Sequence, residues 1–342
     1  MDQIELKKNA NLMVKKGKGI LAADESTPTC SKRFEALGIE STDKTRNAYR
    51  DMLFTTPEME KFISGVILFD ETLRQSTLSD KTLYPKYLQG KGVLTGIKVD
   101  CGAKELALHK GEKVTEGLDG LRERLVEYYD LGARFAKWRA VITIDKNNPS
   151  DACIQANAHA LARYAALCQE NGLVPIVEPE VLMDGSHDIE TCHDVSERTL
   201  SYVFNALSDQ HIYLDGIVLK PSMVVSGKEC QNQASIEEVA ERTVECLKKT
   251  VPSEVPGCAF LSGGQSNEHA SAHLNIMNKK YANTLPWNLT FSYGRALQVS
   301  ALNAWSGKNE NIQIAQDAFY KRAKLNSQAT MGNYSEELIS FG

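Results

Sequence analysis

The sequence predicts an α/β fold, a (β/α)₈ TIM barrel with extra terminal helices, on three observations. Short apolar runs that end in polar or glycine-rich turns occur eight times. Longer segments with apolar residues every three or four positions lie between them, the signature of helices with one buried face. The connections are of crossover length, so the strands run parallel, and eight such units close most naturally into a barrel. A barrel of this kind takes about 250 residues, which leaves material in a chain of 342 for helices at both ends. An open doubly wound sheet is the competing arrangement, but no G-x-G-x-x-G opens the first helix. Without a low-complexity linker, residues 1–342 read as one barrel domain, with 335–342 as a short C-terminal tail.

In chain order, the strands are expected at 19–24, 65–69, 92–99, 135–142, 174–178, 216–220, 257–261 and 289–292. Each begins in Gly, Val, Leu or Phe, and all but 289–292 carry at least three apolar residues. Helical periodicity runs over 118–131, 150–171, 189–208, 235–250 and 267–278.

The net charge of −5 provides no global positive field, which argues against binding nucleic acid or an anionic membrane surface, so any anion site must be local. The N-terminus lacks the apolar core of a signal peptide, and no later run has membrane-spanning length. Eight cysteines are scattered without a C-x-x-C pair, as expected of free thiols in a reducing cytoplasm.

Reactive groups of such barrels sit at the C-terminal ends of the strands. Those ends carry Asp24, Glu25 and Ser26; Lys98 and Asp100; Lys137 and Arg139; Glu178 and Glu180; Lys220; Ser262, Gly263 and Gly264; and Ser292, Gly294 and Arg295. Strand alternation puts Lys98 with Asp100, Lys137 with Arg139, and Glu178 with Glu180 on common faces. An ion-pair network plugging the barrel mouth explains any one pair. Burying a charge costs several kcal/mol unless it is paired, and this many charged ends exceed what packing requires.

A lysine among other cations in a dry pocket has its charged form disfavoured, which frees an amine for attack on a carbonyl. Lys220 follows the most apolar run, Ile217-Val-Leu219, and precedes Pro221, so it is the candidate for a Schiff base. Glu178 suits the acid that expels water from the carbinolamine. Asp24 suits the carboxylate that takes a hydroxyl proton during carbon–carbon cleavage.

The loops Leu261-Ser-Gly-Gly-Gln-Ser266 and Ser292-Tyr-Gly-Arg295 follow the last two strands, where barrels often bind phosphate through backbone N–H groups. A second anion site is expected at 26–29 with Lys98, with an ordinary helix cap as the alternative. His269 and His273 share a helical face but lack the H-E-x-x-H pattern, so a solvated face is expected there and no metal or other cofactor.

These segments, in order and over about residues 10–334, resemble the class I, metal-independent fructose-bisphosphate aldolases. The resemblance implies a homotetramer that cleaves fructose 1,6-bisphosphate, with Lys220 as the Schiff base, Glu178 as general acid and base, and Asp24 acting at the C4 hydroxyl. It implies supporting roles for Lys137, Arg139 and Glu180. Ser262, Gly263, Gly264, Gly294 and Arg295 would hold the C1 phosphate, and Ser26, Thr29 and Lys98 the C6 phosphate. Three positions depart from the family pattern: Pro28 removes an N–H beside the C6 site, Cys101 stands where a lysine is common, and the chain ends in Phe341-Gly342 rather than tyrosine. Fructose 1-phosphate and sedoheptulose 1,7-bisphosphate remain alternative substrates. From another class, a scaffold for cytoskeletal partners also fits the resemblance, although packing alone would not demand Asp24, Lys137, Glu178 and Lys220 together.

Overall fold

The computed structural model describes residues 2–147 and 149–335. Eight parallel strands close the barrel: β1 (Gly19–Ala23), β2 (Ile63–Leu68), β3 (Leu94–Lys98), then β6 (Phe135–Ile142), β7 (Val174–Val181), β8 (Val218–Leu219), β9 (Gly257–Phe260) and β10 (Asn288–Tyr293), the last pairing with the first. Between β3 and β6 lies an antiparallel hairpin, β4 (Ala103–Glu105) and β5 (Lys113–Thr115). Its strands are short and polar, so they lack the apolar run that marked the barrel strands. The expected tail, 335–342, lies outside the described residues apart from Ser335.

Two strands differ from expectation in ways that matter. β7 continues to Val181, so Glu178 and Glu180 lie within it rather than at its end. β8 is only Val218–Leu219, because 214–216 form a turn of 3₁₀ helix, and Lys220 follows directly. Helices begin where side chains can satisfy their free N–H groups: Ser150 Oγ accepts from Cys153 N–H, and Ser235 forms a capping box with Glu238.

The period of two along each strand sorts the interior. Ile20 and Ala22 of β1, Phe135 of β6, Val174 and Ile176 of β7 and Val218 of β8 face one cluster with Leu6, Ala10 and Met13 of the N-terminal helix, which closes the lower end. Their neighbours Leu21, Ala136, Trp138, Val177 and Leu219 face the surrounding helices. Glycine makes this layer possible, since a Cβ at Gly96 would stand 2.1 Å from the Phe135 ring. The next inward positions, one step towards the strand C-termini, are Asp24, Lys98, Lys137, Glu178 and Lys220.

Candidate active site

Register brings the charges together: Lys98 is opposite Lys137, and Arg139 is opposite Glu178. Lys137 Nζ lies 2.7 Å from Asp24 Oδ2, 3.7 Å from Glu178 Oε2 and 3.9 Å from Asp100 Oδ2. Lys220 Nζ lies 3.2 Å from Glu178 Oε1. All three central side chains are nearly dry, with Lys137 and Lys220 4% exposed and Glu178 3%. An ion-pair network is therefore present, as pairing of buried charges requires.

The network treats the two lysines differently. Burial works against the Lys137 ammonium, but Asp24, Glu178 and Asp100 more than offset it and raise its pKa. Lys137, expected in a supporting role, thus faces three carboxylates rather than other cations. Among the described residues Lys220 has one ion-pair partner, Glu178. Burial alone would raise the Asp24 carboxyl, yet Lys137, Lys220 and Lys98 hold it down to about 2.

Asp24 is also positioned from behind. Gln298 Nε2 donates to Ala22 O at 2.6 Å and to Glu25 Oε1 at 2.9 Å, so one amide grips the chain on both sides of Asp24. Tyr49 OH donates to Gln298 Oε1 at 2.8 Å. The buried Glu25 is paired with Arg33 at 2.5 Å and Arg50 at 2.7 Å. Burial would raise Glu25, but Arg50 and then Arg33 lower it. Sequence reading placed Glu25 at the strand end without its partners, which come from three separate helices.

One concave site is lined by Asp24, Ser26, Thr29, Lys98, Lys137, Arg139, Glu178, Glu180, Lys220, Ser262, Gly263, Gly294 and Arg295. Gly264 is the exception among the expected residues: its N–H donates to Met183 Sδ at 3.2 Å. Arg139 pairs with Glu180, and Lys98 Nζ lies 2.6 Å from Asp100 Oδ1. Ser26 occupies the N-cap of the helix Thr27–Glu35 but makes no side-chain cap bond; its Oγ lies 3.1 Å from Thr29 Oγ1. Both residues line the site, and the expected helix-cap bond from Ser26 is not made. Pro28 sits in the first helical turn, where its missing N–H would have had no helical partner.

Arg295 donates to Gly263 O, tying the two glycine-containing loops together. Arg33 and Ser292 also line the site, and Ser292 Oγ is buried without a hydrogen-bond partner. Arg33 was invisible to a search of strand ends because it projects from a helix. His269 is exposed as expected, but His273 is not: its Nδ1 is 2.7 Å from Gln265 Oε1, and burial first, then His269, lowers its pKa to about 4. Among the described residues, no group of three or more His, Cys, Asp or Glu could hold a metal ion, and no helix is long and apolar enough to cross a membrane.

A dry amine beside a carboxylate, flanked by hydroxyls and cations on one side and glycine-rich loops on the other, defines a class of barrel suited to carbonyl chemistry on anionic substrates. The comparisons narrow that class. Residues 5–341 match the family described as fructose-bisphosphate aldolase class-I, and the chain belongs to it. It is 59% identical over 331 residues to the probable fructose-bisphosphate aldolase class 1 of Xanthomonas campestris pv. campestris, covering 96% of this chain and 98% of that one. It is 55% identical to the cytosolic fructose-bisphosphate aldolase 4 of Arabidopsis thaliana, covering 96% of this chain and 84% of that one. The fructose-bisphosphate aldolase of Plasmodium falciparum, solved in complex with TRAP and a small-molecule inhibitor, superposes with a TM-score of 0.95 at 50% identity, covering 97% and 96% of the two chains.

Proposed function

We propose that this chain cleaves fructose 1,6-bisphosphate reversibly to dihydroxyacetone phosphate and glyceraldehyde 3-phosphate through an imine on Lys220, in glycolysis and gluconeogenesis. The observation that carries the assignment of the nucleophile is the contrast between Lys137, ion-paired with three carboxylates, and Lys220, whose ion pair among the described residues is with Glu178.

The Lys220 amine attacks the C2 carbonyl. Glu178 relays two protons to the C2 oxygen, the one it has taken from the Lys220 ammonium and then one from the carbinolamine nitrogen, so the oxygen leaves as water and an iminium remains. Asp24 then accepts the C4 hydroxyl proton, the C4–O bond becomes a carbonyl, and the C3–C4 electron pair flows into the iminium as an enamine. As glyceraldehyde 3-phosphate departs, Asp24 releases its proton and Glu178 takes one up and delivers it to C3; hydrolysis of the resulting iminium then releases dihydroxyacetone phosphate and restores Lys220.

A carboxylate at about 2 is a weak base in the resting site. Cleavage discharges the iminium, however, and so removes one of the cations that hold Asp24 down. Its proton affinity rises as the bond breaks, which is when the proton must be held. Lys137 remains charged throughout and keeps Asp24 and Glu178 in place, with Arg139 and Glu180 paired above them.

The C1 phosphate lies at Ser262, Gly263, Gly264, Gly294 and Arg295, and the C6 phosphate at Ser26, Thr29 and Lys98. Seating the C1 phosphate on Gly264 requires its N–H to exchange Met183 Sδ for a phosphate oxygen, a gain because a thioether is a weak acceptor. The same reading takes the chain as one catalytic barrel domain, cytoplasmic and homotetrameric. Cytoskeletal partners would be an added role, for which the Plasmodium relative in complex with TRAP offers a precedent of partner binding.

Borohydride reduction with dihydroxyacetone phosphate, followed by peptide mass mapping, tests the mechanism. The expected adduct is on Lys220, with loss of activity that chelators do not affect. An adduct on Lys98 or Lys137, or none, would overturn it. Comparing kcat/KM on fructose 1-phosphate and sedoheptulose 1,7-bisphosphate tests the substrate.

A further inference from the structure

The helix Ile312–Ala329 carries an arginine, Arg322, that is 6% exposed and lines no part of the catalytic pocket. Its Nη2 donates to Asn267 O at 2.8 Å and to Ser271 Oγ at 2.9 Å, and its Nε donates to Ala296 O at 3.3 Å. Asn267 opens the helix Asn267–Tyr281, and Ala296 is the second residue of the helix Arg295–Trp305. These helices follow the loops that carry Gly263 and Gly294. One guanidinium therefore joins the first turns of the two helices that present those loops.

Its charge is unusual. Among the described residues no carboxylate forms an ion pair with it; the phenol of Tyr334 lies beside it and Glu268 acts from farther away. A buried cation without an ion-pair partner is costly, and neutral donors could satisfy the same carbonyls. The two helix N-termini it joins already concentrate positive potential, so the arrangement is best compensated by an anion held at both loops.

We infer that Arg322 is a positioning residue for the C1-phosphate subsite: it locks the two loops in register and adds its charge behind them. This rests on the phosphate assignment proposed above. Arg322 touches no substrate in this account, and none of its hydrogen bonds to Ala296, Asn267 and Ser271 reaches Ser26, Thr29 or Lys98, which form the C6-phosphate side.

Binding of dihydroxyacetone phosphate, read by borohydride trapping as a function of concentration, isolates the C1 side. The KM for glyceraldehyde 3-phosphate in the condensation direction reads the C6 side. In Arg322→Met the first is expected to weaken about tenfold and the second to stay within about twofold, with Arg322→Lys intermediate. Ser271→Ala, a milder change, is expected to weaken the first about threefold in the same selective way. Equal losses on both sides, or no loss in the folded variant, would overturn the inference. If Arg322→Met does not fold, Ser271→Ala decides by the same criterion. Failure of the wild-type protein to trap dihydroxyacetone phosphate on Lys220 would instead overturn the proposed mechanism.

Discussion

The lower and upper ends of the barrel interior are built on the same strands, one alternation apart, yet they are opposite materials. Below, Ile20, Phe135, Ile176 and Val218 pack as a dry apolar layer closed by the N-terminal helix. Above, Lys137, Glu178 and Lys220 are buried almost as completely, with the partly exposed Asp24 beside them, in a layer filled with charge. The lower layer is stabilised by burial and tolerates any shape-conserving set of side chains. The upper layer stands only because each charge has a partner, and the partnering is uneven: among the described residues Lys137 is ion-paired with three carboxylates and Lys220 with one. Stability and reactivity are thus separated along the barrel axis, within a few ångströms.

The separation is most severely tested from below. Phe135→Ala empties the centre of the apolar layer, so urea unfolding is expected to show a loss of about 3–5 kcal/mol. Its kcat/KM should stay within about threefold; a collapse of activity in the folded variant would mean that the lower layer sets the site geometry directly.

From above, Lys137→Met removes the cation shared by Asp24, Glu178 and Asp100. A fall in kcat of about 100-fold, near 2.7 kcal/mol, is expected, with trapping on Lys220 retained. Loss of trapping as well would merge the roles of the two lysines.

Asp24 sharpens the contrast through pH. Its carboxyl is held at about 2, below the ordinary 3.8. The associated stabilisation is complete above the unfolded value and is lost as pH falls through about 2; it amounts to about 2 kcal/mol. Acid unfolding of Asp24→Asn should therefore lack the part of the pH dependence between about 4 and 2 that the wild-type protein shows. Equal slopes would remove Asp24 from the network.

The smallest effect concerns Gln298, which grips the chain on both sides of Asp24. Gln298→Leu is expected to lower kcat about fivefold, near 1 kcal/mol, with little change in the KM for fructose 1,6-bisphosphate. A shift confined to KM would assign Gln298 to binding instead.

The strand-end lysines were legible in the sequence because a charge closing an apolar run contradicts its surroundings: Gly216-Ile-Val-Leu-Lys220 is readable as strand and as site at once. Arg33, Gln298 and Arg322 gave no such signal. Each sits in an ordinary amphipathic helix, and its meaning depends on what it meets; Gln298 reaches Glu25 across 273 residues of chain. The hairpin 103–115 escaped for the opposite reason, since its short polar strands follow no apolar period.

By itself, then, the sequence determined the eight strands, their parallel sense, and which side chains alternate inward, because these follow from local periodicity and from the length of the connections. Tertiary structure decided the partners. Which lysine faces three carboxylates and which faces one depends on strand register and barrel closure, and electrostatic interaction between side chains is set by distances in space that chain order does not encode.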